Sequence, residues 1–173
     1  VTRLADTANG AGDATTFNDS EGVLMVEIKG LSDGGSNRYI SISDGTANNR
    51  LQFVLANSPV SRFQVSSTSF SAINYDSFAQ TENNKIAVVY SALGVKLFVN
   101  GVLVGSNTDN ASFPANLLTT LDFALYDQIS VPFYGKTKQI QYFQTVLTDS
   151  ELEELTSWTS FIELATGQTY SIK

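Results

Sequence analysis

Two of the most versatile reactive side chains are missing from this sequence: it has no cysteine and no histidine. That excludes disulfides, thiolate chemistry, the commonest general base and the commonest zinc ligand. Carboxylates remain. A glycoside hydrolase needs two of them flanking the scissile bond, roughly 5 to 9.5 Å apart, which on a strand calls for acids at i and i+2 or i+4. Glu27 has Met25 and Lys29 at the nearest same-face positions, and Asp122 has Ala124 and Tyr126. A polysaccharide lyase built on a His and Tyr pair lacks its histidine. The chain therefore reads as non-enzymatic, with its strand-borne acids solvated or structural.

Two other chemistries have candidate residues. Asp44, Asn48 and Asn49 cluster in one loop and could offer oxygens to calcium, with Asp109, Asn110, Asp122 and Asp127 as further donors. No twelve-residue EF-hand spacing is present, and Asx residues in turns commonly bond their own backbone. No cofactor is required by this reading; calcium is the one that fits. Sugar binding needs an aromatic platform for apolar ring faces and planar polar groups for hydroxyls. Asn49, Arg50, Tyr126, Asp127 and Tyr134 are the loop-adjacent candidates. The bland alternatives are that Tyr134 packs between sheets, that Arg50 pairs with an Asp, and that Trp158 belongs to the core.

Composition limits the partners. Seventeen acidic against ten basic residues give a net charge of −7 over 173 residues, the wrong sign for phosphate-backbone binding. The hydrophobic fraction is 42 %, ordinary for a globular protein, and no apolar run approaches the roughly 20 residues that span a bilayer. Nucleic acid and membrane insertion are thus not expected. The length suits one domain over 1–173. Residue 1 is Val with no charged and apolar leader behind it, so the segment reads as excised from a longer polypeptide.

The elements that must carry these residues are short and mostly extended. Residues 1–20 read as an irregular lead-in. Val23 to Ile28 forms the first strand, followed by a turn at Gly30 and Asp33-Gly34-Gly35. Tyr39 to Ser43 alternates with period two, setting Ile40 and Ile42 against Tyr39, Ser41 and Ser43. Leu51–Ala56 and Arg62–Val65 are separated by a turn at Asn57-Ser58-Pro59. The polar stretch from Ser66 to Asn84 holds at least one strand, suggested by Phe70, Ile73, Tyr75 and Phe78.

Ile86, Val88 and Tyr90 then alternate up to a turn at Ala92-Leu93-Gly94, and Val95 to Val99 runs into Asn100-Gly101, the pair a type I′ hairpin needs. This predicts Val99 opposite Val102 and Leu97 opposite Val104, with Lys96, Phe98 and Leu103 on the other face. Leu121–Tyr126 and Phe133–Phe143 complete the strands. Thr148 and Glu151 spell a capping box, with Leu147 and Leu152 placed as its hydrophobic staple. Leu152 and Leu155 give a short helix, and Ser160 to Glu163 offers a second cap before Gly167, so 148–166 should hold short helical segments closing one edge or end of the sheets. Nine or ten short strands of this kind argue an all-β, antiparallel two-sheet sandwich with a concave outer face left over.

The run Lys85-Ile86-Ala87-Val88-Val89-Tyr90 followed by Val95 to Val102 resembles the central hairpin of concanavalin A-like and laminin G-like jelly rolls. Phe17-Asn18-Asp19-Ser20-Glu21-Gly22-Val23, Pro132-Phe133-Tyr134-Gly135-Lys136 and Leu147 to Leu152 together resemble lectin-like domains of bacteriophage tail fibres, over nearly the whole chain from about Asp6. The resemblance implies a jelly-roll module with short C-terminal helices, displayed on a virion, often in a homotrimeric fibre, that contacts host-surface glycans. Other readings are a laminin G-like carbohydrate-binding module of a secreted bacterial protein, extracellular or on the cell surface, a purely structural fibre domain, and a glycanase. These families bind through variable loops, so no site residue is carried over by position.

Overall fold

The computed structural model describes residues 11–31, 37–56, 61–66, 70–75, 79–127 and 130–158. Along the chain run β1 (Glu21–Gly30), β2 (Arg38–Ser43), β3 (Arg50–Leu55), β4 (Ser61–Ser66), β5 (Phe70–Tyr75), β6 (Asn84–Ser91), β7 (Gly94–Val99), β8 (Val102–Asn107), β9 (Thr120–Asp122), β10 (Gly135–Phe143) and the helix α1 (Asp149–Thr156). They form two five-stranded antiparallel sheets, ordered β10-β1-β6-β7-β8 and β5-β4-β3-β2-β9. This is the expected jelly-roll sandwich. The proposed turns at Asp33–Gly35 and Asn57–Pro59, Phe78 and the second helical cap lie outside the described residues.

Inward positions of both sheets meet in one core that includes Leu24, Val26, Ile40, Ile42, Leu51, Phe53, Val65, Val88, Tyr90 and Leu97. β1, β6 and β7 are apolar on their second face too, because that face is also covered. Val23, Met25, Ala87, Val89 and Phe98 pack under Leu152, with Phe143, Leu147 and Leu155 around them. The helix therefore lies on a sheet face rather than closing an edge or end. Its capping box is formed: Glu151 N donates to Thr148 Oγ1 at 3.3 Å and Thr148 N to Glu151 Oε2 at 2.8 Å.

Asn100 and Gly101 both take positive φ, 50° and 83°, as the type I′ turn requires. Val99 faces Val102, but Leu97 faces Gly105 and not Val104, because a bulge leaves Val104 without a partner. Gly105 faces the opposite sheet closely: a Cβ at this position would stand 2.5 Å from Ile73 Cγ2. Only glycine lets β8 approach β5 this closely. Two strand limits also differ from expectation. Pairing after Leu121 stops at Asp122, and the last strand begins at Gly135, not Phe133.

The lead-in from Ala11 to Ser20 is irregular but firmly held. Asp19 accepts the amides of Asn116, Leu117 and Leu118 at 2.7, 3.1 and 2.8 Å, and Phe17 sits in the core. Tyr142 Oη accepts the Asn18 amide at 2.8 Å and lies 2.6 Å from Tyr90 Oη, which donates to the Asn18 carbonyl. The Phe17–Val23 motif is thus a clamp joining the lead-in to both sides of β1.

Candidate functional site

With one face of the first sheet under α1, the outer face of the second sheet is the polar surface of the sandwich. Register places its residues in rows across the strands. One row is Asp122, Ser41, Gln52, Gln64 and Ala72; the next is Thr120, Ser43, Arg50, Ser66 and Phe70. Directly opposed residues share a face: Leu51 and Phe53 point into the core, while on the other face Ser41, Ser43 and Gln52 are covered and Arg50 is half-buried.

Arg50 is the centre of this surface. Its Nε donates to Gln52 Oε1 at 2.8 Å, and its guanidinium carbon lies 5.3 Å from the centroid of the Tyr126 ring, a cation–π contact. Partial burial pulls the Arg50 pKa below its ordinary value, while the phenols of Tyr126 and Tyr39 act in the opposite sense. Tyr39 Oη in turn accepts from Asn37 Nδ2 at 3.1 Å. Among the described residues, no acceptor meets the two terminal amino groups of Arg50. A guanidinium oriented by a side-chain amide and an aromatic ring, with two donors still open, suits bidentate binding of a planar anion such as a carboxylate.

Tyr126 reaches Arg50 because the chain turns back after Asp122. A continued ladder would carry Ala124 toward Tyr39; instead Ser41 Oγ donates to the Ala124 carbonyl at 2.9 Å and Ser43 Oγ to the Tyr126 carbonyl at 3.4 Å. The base of this loop is tied by Phe133 N donating to the Phe123 carbonyl at 2.7 Å and by the two phenyl rings, 6.3 Å apart. The outer face is therefore partly roofed, not left open along its whole length.

Asp122 lies beneath this roof, 2 % exposed, and among the described residues its Oδ2 has no hydrogen-bond partner. Burial raises its pKa, a hydrogen bond from Thr120 opposes this, and the charge of Asp127 adds to the rise. A raised pKa suits a general acid, yet a carboxyl so deeply covered is sealed from any sugar on the face. Asp127 is committed locally, its Oδ1 accepting the Ser130 amide at 2.8 Å.

The remaining sequence candidates stand apart from Arg50 in role. Asn49 Nδ2 donates to Asp44 Oδ2 at 2.7 Å, and Asp44 Oδ1 accepts the amide and hydroxyl of Thr46 at 2.9 and 2.7 Å. Burial would raise the Asp44 pKa, but these bonds outweigh it and hold it below the usual carboxylate range. Asn48 enters the same loop through its amide, bonded to Thr46 Oγ1 at 3.2 Å. A cation at Asp44 and Asn48 would share the Asp44 carboxylate with these three donors. Asn110 Oδ1 receives both the amide and the hydroxyl of Ser112, and no group of three or more Asp and Glu residues suited to a metal occurs among the described residues. Tyr134 is 64 % exposed, so it is not packed between the sheets.

Trp158 is half-buried with Lys85 Nζ 4.8 Å from its ring centroid, and it lies outside both clusters of buried apolar residues. Arg50 and Tyr126 are thus the expected residues that the fold brings together. Sequence reasoning missed Gln52, Tyr39 and Asn37. Their signal was present in the period-two spacing, since Arg50 and Gln52 share a face, but which strand lay alongside was not.

A groove of about 350 Å³ between the lead-in and the β10–α1 connection is lined by Thr15, Asn18, Asp19, Ala115 and Gln144 among others. Its polar groups are spent on the fold, Gln144 Nε2 bonding the carbonyls of Thr15 and Thr16 and Asn18 Nδ2 the carbonyl of Gln144.

Known structures share this architecture. The carbohydrate-binding module CBM40 of the Ruminococcus gnavus IT-sialidase, solved with α2,3-sialyllactose, superposes with a TM-score of 0.68 over 86 % of this chain and 93 % of its own, at 19 % identity. The leech intramolecular trans-sialidase, complexed with 2,7-anhydro-Neu5Ac, gives 0.65 at 20 % identity, over 83 % of this chain and 24 % of its own. The binding domain of botulinum neurotoxin DC, in complex with rat synaptotagmin II, gives 0.60 at 13 % identity, over 80 % of this chain and 35 % of its own. At these identities the likeness is one of fold. No curated protein sequence matches the chain. Residues 11–153 match the family model described as the concanavalin A-like lectin/glucanases superfamily (Laminin_G_3), and with that match spanning most of the sequence, the chain belongs to that superfamily.

Proposed function

We propose that this domain is a non-catalytic glycan-binding module whose site is the outer face of the second sheet around Arg50, and that its ligand carries an acidic sugar. One observation carries the reading: Arg50 is held by Gln52 and Tyr126 while its terminal amino groups have no acceptor among the described residues. Tyr126 and Tyr39 add aromatic surface beside it, and Asn37 an amide, the mixture that sugar recognition requires. The sialyllactose bound by the R. gnavus module supports a sialylated glycan as one such ligand. The deep burial of Asp122 supports binding without hydrolysis.

Two settings suit the module. The motif resemblance supports a virion tail fibre attaching to host glycans, and the bacterial neighbour supports a module of a secreted, extracellular protein. Light scattering separates them, a trimer favouring the fibre and a monomer the appended module. For the function itself, a glycan array of sialylated and uronic-acid polysaccharides is expected to give binding that Arg50→Ala reduces at least tenfold, with no shorter products on prolonged incubation. Neutral glycans binding as well as acidic ones, or an Arg50→Ala protein binding unchanged, would refute the reading.

A further inference from the structure

We infer that Phe70 is a second sugar subsite, in line with Arg50 across the same face, so that the site takes an oligosaccharide rather than a single ring. The inference rests on the reading of Arg50 as the anchor of an acidic sugar. Phe70 is 59 % exposed, which leaves its ring accessible for stacking against the apolar face of a sugar. Its place is set by register: Arg50 pairs with Ser66, and Ser66 pairs with Phe70. Within β5, Ser71 and Ile73 are buried while Phe70, Ala72 and Asn74 are exposed, so the phenyl projects from the outer face, as Arg50 does.

Two strand spacings separate Arg50 from Phe70, about 10 Å. A single pyranose does not bridge that span, whereas two or three linked rings do. The residue between them in the row is Ser66, a small residue type, and the same-face neighbour of Phe70 along β5 is Ala72, also exposed. The chemistry is therefore ordered along the row: a carboxylate-bearing residue at Arg50, flanked by Tyr126, and the apolar face of a later residue stacked on Phe70. A glycan lying so runs across the strands. In the sequence Phe70 marks a strand within the polar stretch from Ser66 to Asn84 and is not among the candidate sugar-binding residues.

The test compares ligand lengths by calorimetric or NMR titration. N-acetylneuraminic acid is set against 3′-sialyllactose, and galacturonic acid against its trimer. The unmodified protein should bind the longer member of at least one pair more tightly. Phe70→Ala should weaken the longer ligand by about two- to tenfold, the value of one aromatic contact, and leave the single ring unchanged. Phe70→Trp should keep the preference, and Arg50→Ala should weaken both lengths. If Phe70→Ala leaves the length preference intact while Arg50→Ala weakens both, the second subsite is wrong and the anchor stands. Arg50→Ala binding unchanged, or no binding in either series, overturns the anchor and the subsite together.

Discussion

Gly22 sits where the buried Tyr90 phenol, the half-buried Tyr142 phenol and a carbonyl converge, and the strongest structural prediction concerns an added methyl group there. A Cβ would lie 2.7 Å from Tyr142 Oη, 2.8 Å from Tyr90 Oη and 2.9 Å from the Phe143 carbonyl oxygen. Replacing glycine in a strand ordinarily stabilises by about 0.5–1 kcal/mol, because the unfolded chain loses freedom. Here the clash should win. Overpacking a well-filled site costs about 1–3 kcal/mol, and displacing the two phenols strains the bonds they make with each other and with Asn18. A buried polar group left unsatisfied adds about 1–3 kcal/mol.

Gly22→Ala should therefore destabilise by about 2–4 kcal/mol net, which at about 2–4 °C per kcal/mol for a chain of this size is a melting point lower by roughly 5–15 °C. Urea and thermal unfolding followed by circular dichroism measure it. The internal control is Gly22→Ala combined with Tyr142→Phe, which removes the nearest oxygen. Neighbours of this kind do not add, and the double variant should lose less than the sum of the two singles. A Gly22→Ala protein within 0.5 kcal/mol of the parent, or strict additivity of the pair, would refute the clamp.

Two further outcomes follow from the charged groups. Asp122 has its pKa raised in the folded state, above the ordinary 3.8, so its neutral form is favoured by folding. That contribution is whole below 3.8 and is lost as pH rises through the raised value. Asp122→Asn should accordingly raise the melting temperature by a few degrees at neutral pH and leave it unchanged in acid; a variant less stable at neutral pH would show that the carboxylate is stabilising. Asp44 already spends its oxygens on Thr46 and Asn49, so EDTA should leave the melting temperature unmoved. An upward shift with millimolar calcium that Asp44→Asn abolishes would establish a cation there.

Much of the architecture was legible because its causes are local. Ile40 and Ile42 alternate with Tyr39, Ser41 and Ser43 in the structure as in the sequence, since side-chain direction follows from strand geometry alone. The Asn100-Gly101 turn and the Thr148–Glu151 box were equally readable, because positive φ and a cap reached within one turn involve only neighbours in the chain. Where a local rule met a distant residue it failed. Val104 has no partner in the ladder beside the place where Gly105 passes Ile73 of the other sheet, and the apolar outer face of β1, β6 and β7 is covered by a helix whose docking place no periodicity encodes.

The candidate site divides in the same way. Arg50 and Tyr126 could be named from residue type and loop proximity, but their 5.3 Å contact exists only because the chain reverses after Asp122 and lays Ala124 and Tyr126 along β2. Phe70 joins them only through two successive strand pairings. By itself, then, the amino-acid order determined that the chain makes a two-sheet jelly roll, which turns and caps punctuate it, and which residue types could bind sugar. Tertiary structure decided which of those residues meet, because bringing distant strands into register depends on closing long loops around a shared core, a term written in no single stretch of chain.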